Sequence, residues 1–317
     1  MATAVTLREA FGRRLAEQAL AHPELVVLDA DLAACTYGYL FGDVCPDRYF
    51  NLGIAEANMI SLAAGMATTG RNVFACSFAM FTAGRAFEQI RNACAYPHLN
   101  VKVVGTYAGI TVGEDGATHQ CIEDLALMRS IPGMVVLNPA DANEATKMVD
   151  ALLQYDGPAY IRLPRDATLD CTSTAAGYHF DIGKVSMLTE GMDVTLAATG
   201  IMVEEALKAQ KLLAKDGISA RVLDVHTIKP LDAEVITAAA EETGAIVAAE
   251  EHNILGGLGG AIAELLSQEK PTPVIRVGIR DKFGKSGEAR SLMNEYNITY
   301  NDIMYAAQKA MEMKKRG

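Results

Sequence analysis

The 317-residue sequence has no excess of basic side chains: 28 lysines and arginines face 39 aspartates and glutamates, a formal charge of −11. A polyanionic backbone needs a basic footprint, so nucleic acid is not an expected partner. No apolar run approaches the roughly 18 residues needed to cross a bilayer. The amino terminus also lacks a basic stretch followed by a hydrophobic one, so neither a membrane span nor a signal peptide is expected. The cysteines, at positions 35, 45, 76, 94, 121 and 171, form no C-x-x-C pair. That spacing argues against a cysteine metal site and for buried free thiols in a reducing cytoplasm. Low-complexity tracts and short repeats are absent too. Disorder is expected only at the ends, chiefly Met1–Ala4 and the basic tail Lys314–Lys315–Arg316.

Half of the residues are hydrophobic (50%) and about a fifth are charged (21%), an ordinary balance for a chain with a sizeable core. The length suggests two domains. Short apolar runs read as buried strands at 24–29, 49–52, 72–77, 101–106, 135–138 and 159–163. Helical spacing separates them, at 7–21, 55–69, 82–95, 121–129 and 142–154. After Arg165 the composition turns polar without a period, and alternation resumes at Val194 and continues to a last helix at 299–314. Strands alternating with helices imply mostly parallel sheets covered on both faces. The fold class is therefore α/β, with two doubly wound domains in series at 1–168 and 186–317 and a linker at 169–185.

Ligands of open parallel sheets sit beyond the carboxyl ends of the strands. Polar motifs cluster after the strands of the first half: Asp29–Asp31, Ser77, Thr106–Glu114 and Pro164–Arg165. In Gly113–Gln120 (GEDGATHQ) two acids, a hydroxyl, an imidazole and an amide share one glycine-flanked loop. Such a group suits proton transfer and hydroxyl recognition, or it is a polar surface loop with a helix-capping acid. Glu56 opens an otherwise apolar helix, either as a first-turn glutamate favoured by the helix dipole or as a partly buried carboxyl that meets a ring nitrogen. Phe78 and Phe81 either pack in the core or make a flat pocket for a heteroaromatic ring.

These three segments, in this order and spacing, resemble the pyrimidine-binding domain of transketolases, most extensively in GEDGATHQCIEDLALMRSIPGMVVLNPAD. The second half, with HTIKPLDAE, ETGAIVAAEEHNILGGLGGAIAE and FGKSGEA, is similar to the transketolase C-terminal domain. In that family a separate domain grips the diphosphate of thiamine diphosphate and its metal through a G-D-G motif. This sequence has no G-D-G, and Gly42-Asp43-Val44 is the nearest string. The resemblance therefore implies the small subunit of a split transketolase. Its large partner would supply the diphosphate site and hold magnesium or another divalent metal, in an α2β2 assembly.

By the same resemblance Glu56 matches the glutamate that contacts the pyrimidine ring nitrogen, Phe78 and Phe81 the ring-stacking pair, and Asp31 an aspartate near the thiamine. His119 and Asp115 match residues that bond sugar hydroxyls and help move protons. Arg165 matches an arginine that grips substrate phosphate, and Arg8 is expected to do likewise, unless it is a solvated residue at a helix start. Tyr107 stands where the family usually has histidine. A phenol donates one hydrogen bond but carries no positive charge at neutral pH, so the expectation is either weaker recognition of a phosphate or a different acidic group, such as a sulfonate. The implied reaction is transfer of a two-carbon ketol unit from a ketose to an aldose. The alternatives are a subunit like deoxyxylulose-phosphate synthase or the β component of a 2-oxoacid dehydrogenase, or a non-catalytic regulatory subunit. Gly256–Gly260 opens a helix that could receive an anion, and Glu250-Glu251-His252 lacks metal-ligand spacing, so both read as structural or interfacial.

Overall fold

The structure, a computed structural model, describes residues 5–173, 175 and 178–315. The expectations for Met1–Ala4 and Arg316 lie outside the described residues. Lys314 is ordered differently from the expectation: it closes the last helix, Tyr300–Lys314, and its Nζ donates to Thr243 O at 2.7 Å.

Six strands build the first unit: β1 (Leu25–Asp29), β2 (Tyr49–Asn51), β3 (Asn72–Phe78), β4 (Val101–Thr106), β5 (Val135–Leu137) and β6 (Ala159–Leu163). The second unit adds β7 (Ser186–Thr189), β8 (Val194–Ala198), β9 (Ala220–Asp224), β10 (Thr227–Lys229), β11 (Ile246–Asn253) and β12 (Val274–Ile279). The first sheet runs β10-β5-β6-β4-β3-β1-β2 and the second β12-β11-β8-β9-β7. Pairing is parallel except at one edge of each sheet, where β10 lies antiparallel to β5 and β7 antiparallel to β9.

The continuous apolar runs follow from burial on both faces. Along β1, Val26 and Leu28 enter one core while Leu25 and Val27 enter the other; Val73 and Ala75 alternate with Phe74 and Cys76 along β3 in the same way. Caps set the helix starts: Thr6 accepts from Glu9 N (3.1 Å) and Asp141 from Glu144 N (2.8 Å). The expected single helix at 82–95 is instead two π-helical segments, Met80–Arg85 and Ile90–Ala95, joined by a short α-turn. Wide turns of this kind are frequent at functional sites. Short, weakly periodic elements escaped the sequence pattern, among them β7, β10 and the helices Tyr39–Val44 and Ala289–Glu295.

Strand β10 is contributed by the second half yet completes the sheet of the first. Near it, buried carboxyls join the two halves. Glu144 accepts from Ala140 N at 2.6 Å and from the Tyr178 hydroxyl, and faces Asp224 at the end of β9. Burial raises Glu144 to about 7 and Asp224 well above the carboxylate range, with each carboxyl next to the other. Two such groups in a dry site retain a proton. Because the folded state binds it more tightly, this contribution is full below the ordinary carboxylate pKa and is lost as pH rises through about 7. Buried His226 opposes it in part: burial lowers it to about 4, so its contribution falls as pH drops below 6.5. Replacing Asp224 with Asn should therefore reduce the fall in melting temperature between about pH 5 and pH 8. Melting curves of the two proteins across that range check this, and identical slopes contradict it.

Candidate functional site

The strand order reverses between β1 and β3, since β2 lies beyond β1 and β3 on its other side. Such a reversal opens a crevice at the carboxyl ends of the strands. Asp29 and Phe78 end β1 and β3, and Ala30–Asp31, Tyr107 and Pro164–Arg165 follow β1, β4 and β6 at that edge.

Glu56 begins the helix Glu56–Ala67, whose N-cap, Ala55, offers no side-chain oxygen. Its carboxyl does not face open solvent as a dipole-favoured residue would. It is 2% exposed, and Oε2 accepts from Arg85 Nη1 at 2.7 Å. The Arg85 guanidinium in turn lies 4.6 Å from the Phe81 ring centroid. From Phe81 the contacts continue without a break. Its ring stacks on Phe78 (6.0 Å, 22°) and meets the edge of His119 (5.3 Å, 74°). Phe78 stacks on Tyr107 at 4.3 Å, and Tyr107 lies beneath Arg8 at 4.4 Å and Arg165 at 5.6 Å. Glu56, Phe78, Phe81, Tyr107, His119, Arg8 and Arg165 thus form one connected group, linked at one point by Arg85. Sequence reasoning passed over Arg85. The available signal was its spacing, four residues after Phe81, which puts a cation and an aromatic ring on one helical face.

Asp31 and Asp115 stand outside this chain of contacts. Asp31 is exposed, with φ of 65°, and Asn51 Oδ1 accepts from both Asp31 N (3.1 Å) and Gly53 N (3.0 Å). This ties the end of β1 to the loop leading into Glu56. Asp115 is exposed in the 3-10 segment Ile110–Asp115. His119 Nδ1 lies 3.0 Å from Thr118 Oγ1.

Arg8 is tied to the backbone rather than solvated at its helix start. It is 6% exposed, not solvated, and its donors reach the carbonyls of Pro164 (3.2 Å), Arg165 (2.7 Å) and Cys35. It joins the first helix to the ends of two strand connections and covers one face of Tyr107. Burial pushes the Tyr107 phenol up, with Arg8 acting against it. Arg165 is the more open guanidinium: its side chain is 33% exposed and only Nη1 is engaged, by Val112 O at 2.5 Å and Glu114 Oε2 at 3.2 Å.

The motifs of the second half are structural. The helix start at Leu258 does receive an anion, but it is the protein's own: Glu250 accepts from Leu258 N (2.7 Å) and Gly259 N (2.9 Å). Among the described residues no group of three or more His, Cys, Asp or Glu could hold a metal ion, and no helix is long and apolar enough to cross a membrane. All six cysteines are unbridged, Cys35 and Cys45 half-buried and the others buried.

Residues 3–169 match the family model of the transketolase pyrimidine-binding domain. The chain belongs to the transketolase family. Residues 183–303 match the transketolase C-terminal domain, which accounts for both α/β units. A putative transketolase C-terminal section of Methanocaldococcus jannaschii is 46% identical, over 98% of this chain and 96% of its own length. A 6-deoxy-6-sulfo-D-fructose transketolase subunit of a Clostridium species is 44% identical, over 97% and 95%. Among solved structures, a split-gene transketolase described as an inactive β4 tetramer superposes with a TM-score of 0.91 at 47% identity, covering 98% of this chain and 99% of that one.

The two transketolase arginines should separate by stability. Arg8→Ala strands buried carbonyls and should cost about 2–4 kcal/mol, whereas Arg165→Ala should cost under about 1 kcal/mol. Urea unfolding measures both, and equal losses would count against the assignment of Arg8 to structure.

Proposed function

We propose that this chain is the cofactor-orienting and sugar-binding subunit of a split transketolase, transferring a two-carbon ketol unit from an anionic ketose to an aldose. The observation that carries the reading is the buried Glu56 carboxyl linked through Arg85 to a half-exposed Phe81 ring. The family depends on thiamine diphosphate, and this donor set fits one part of it. A carboxyl meets a ring nitrogen and phenyl rings meet a flat heteroaromatic face; phosphates have no comparable cradle among these residues. The diphosphate and its divalent metal, magnesium or another, accordingly fall to a larger G-D-G-bearing partner, in an assembly with two copies of each chain. End-to-end matches to a C-terminal section and to a separate subunit support that division.

When bound, thiamine diphosphate supplies a nucleophilic carbon and an electron sink for breaking and making carbon–carbon bonds. The protein's contribution is orientation and proton control. Glu56 holds a proton at the pyrimidine nitrogen, Phe78 and Phe81 fix the ring plane, and Asp31 borders the site. His119 and Asp115 bond sugar hydroxyls and move protons during cleavage. Arg165 offers its free donors to the terminal anion, and Tyr107 adds a neutral hydrogen bond where a histidine would add charge. Arg8 acts on this group by holding Tyr107 and the Arg165 backbone in place. A phosphate and a sulfonate are both compatible with one open guanidinium beside a phenol, and a relative that acts on a sulfosugar makes the second worth testing.

The chain mixed with its large partner should catalyse thiamine-dependent ketol transfer from phosphorylated or sulfonated ketoses, and neither component should do so alone. A panel of such donors without turnover defeats the reading. In the active assembly, Glu56→Gln should leave assembly intact and slow proton exchange at the reactive thiazolium carbon by about two orders of magnitude or more, as measured by deuterium loss. Arg165→Ala should raise KM for the anionic donor about tenfold or more while changing it little for an uncharged sugar. Equal changes for both donors would remove Arg165 from anion recognition.

A further inference from the structure

The second unit has no part in the contacts that join Glu56 to Arg165, yet it reaches the loop that bears His119 and Asp115. Glu251 lies on β11 and is 1% exposed. Its Oε1 accepts from Thr111 N at 2.7 Å, across the junction between the two units. Its Oε2 has no hydrogen bond and lies 3.8 Å from Arg162 Nη1. A carboxyl placed so deeply is costly, and burial pushes it up to about 7 against the pull of Arg162 and the Thr111 N–H. An apolar side chain would suit such a site better if packing were all that mattered.

The surroundings point the carboxyl at one target. Fully buried Arg162 is already neutralised by Asp124, with Nε to Oδ2 at 2.9 Å, and its Nη2 donates to the backbone carbonyl of Glu251 at 2.8 Å. Asp124 also accepts from the Tyr160 hydroxyl at 2.8 Å. Arg162 therefore aims Glu251 without needing its charge. On the loop side, Gly109 sits at φ 83°, and a Cβ there would stand 2.2 Å from the Glu251 carboxyl carbon. The loop has given up a side chain to let this carboxyl approach. Gln120 Nε2 adds a second tie, reaching Ile110 O (3.0 Å), Gly113 O (3.2 Å) and, from the second unit, Lys285 O (2.9 Å).

We propose that Glu251 is a positioning residue of the sugar-binding site: its carboxyl holds the Thr111 amide and so sets the loop from Tyr107 to His119 from the second domain. This deepens the function proposed above by giving the C-terminal domain a task in the same site. The consequence is separable, because Thr111 lies within that loop, whereas the buried Glu56 carboxyl is held by Arg85 from another element.

The test uses Glu251→Leu and Glu251→Gln in the full chain. The leucine removes the acceptor, and the glutamine keeps an acceptor oxygen without charge. Arg162 stays paired with Asp124 in both, so neither leaves a lone buried charge. Amide exchange in the isolated chain, followed by mass spectrometry, should speed up about tenfold across 109–116 in the leucine variant, the effect of one lost charge-assisted hydrogen bond. Protection across β3 and β4 should not change, and glutamine should restore most of the loop protection. In the assembly with the large partner, the leucine variant should raise KM for the donor about tenfold while leaving thiamine diphosphate affinity as in the wild type. Unchanged loop exchange, equal acceleration of the strands, or a glutamine variant as impaired as the leucine one overturns the proposal. A wild-type assembly without ketol transfer would sink the proposed reaction and leave the exchange result standing.

Discussion

A carboxyl with 2% of its surface left to water is bearable only when something compensates it, and among the described residues Glu56 has Arg85 as its ion-pair partner. The pair is asymmetric: without Arg85 the carboxyl would stay buried beside no cation, whereas Arg85 itself is half exposed and keeps water without Glu56. The same guanidinium rests on the Phe81 ring, so the carboxyl, the cation and the aromatic platform are placed by one another. The wide turns of Met80–Arg85 deliver both Phe81 and Arg85 to that point. The order of the sheet then decides what else can join them. Because the strands reverse direction of addition between β1 and β3, the carboxyl ends of β1, β3, β4 and β6 lie on the side where such a sheet usually takes its ligand.

The two domains are less independent than their serial order suggests. Strand β10 leaves its own half to close the first sheet. Buried polar groups cross the junction, among them Glu144 with Asp224, Thr111 with Glu251, and Arg162 with the Glu251 carbonyl. Buried polar contacts contribute little net stability, but they penalise every arrangement that leaves them unpaired. Charge is divided in a similar way around Tyr107. Arg8 gives its donors to the backbone, leaving Arg165 as the open guanidinium over a neutral phenol.

Much of the fold was legible because its strands are buried on both faces. Continuous runs such as Leu25–Asp29 and Asn72–Phe78 leave few other readings. The ends of strands, where Asp31, Phe78, Tyr107 and Arg165 fall, were legible for the same reason. Elements without periodicity were not: β7 and β10 are only four and three residues long, and β10 is a strand because β5 offers it an edge. Arg8 is not the solvated helix-start residue that one reading allowed, although a charged side chain there is usually solvated. Three carbonyls brought from residues 35, 164 and 165 make its burial tolerable, and no local pattern announces them.

The amino-acid sequence by itself determined the alternation of strands and helices, the family, and the residue types at the strand ends, because these follow from local periodicity and from motifs contiguous in the chain. Tertiary structure alone decided which charges are spent internally and which remain open to a ligand. Arg85 closing on Glu56, Arg8 turned toward carbonyls, Glu250 capping a helix and Glu251 holding Thr111 are all choices of partner between segments distant in sequence. A side chain's chemistry is written in its residue type. Its availability depends on which donors and acceptors the folded chain brings within about 3 Å of it.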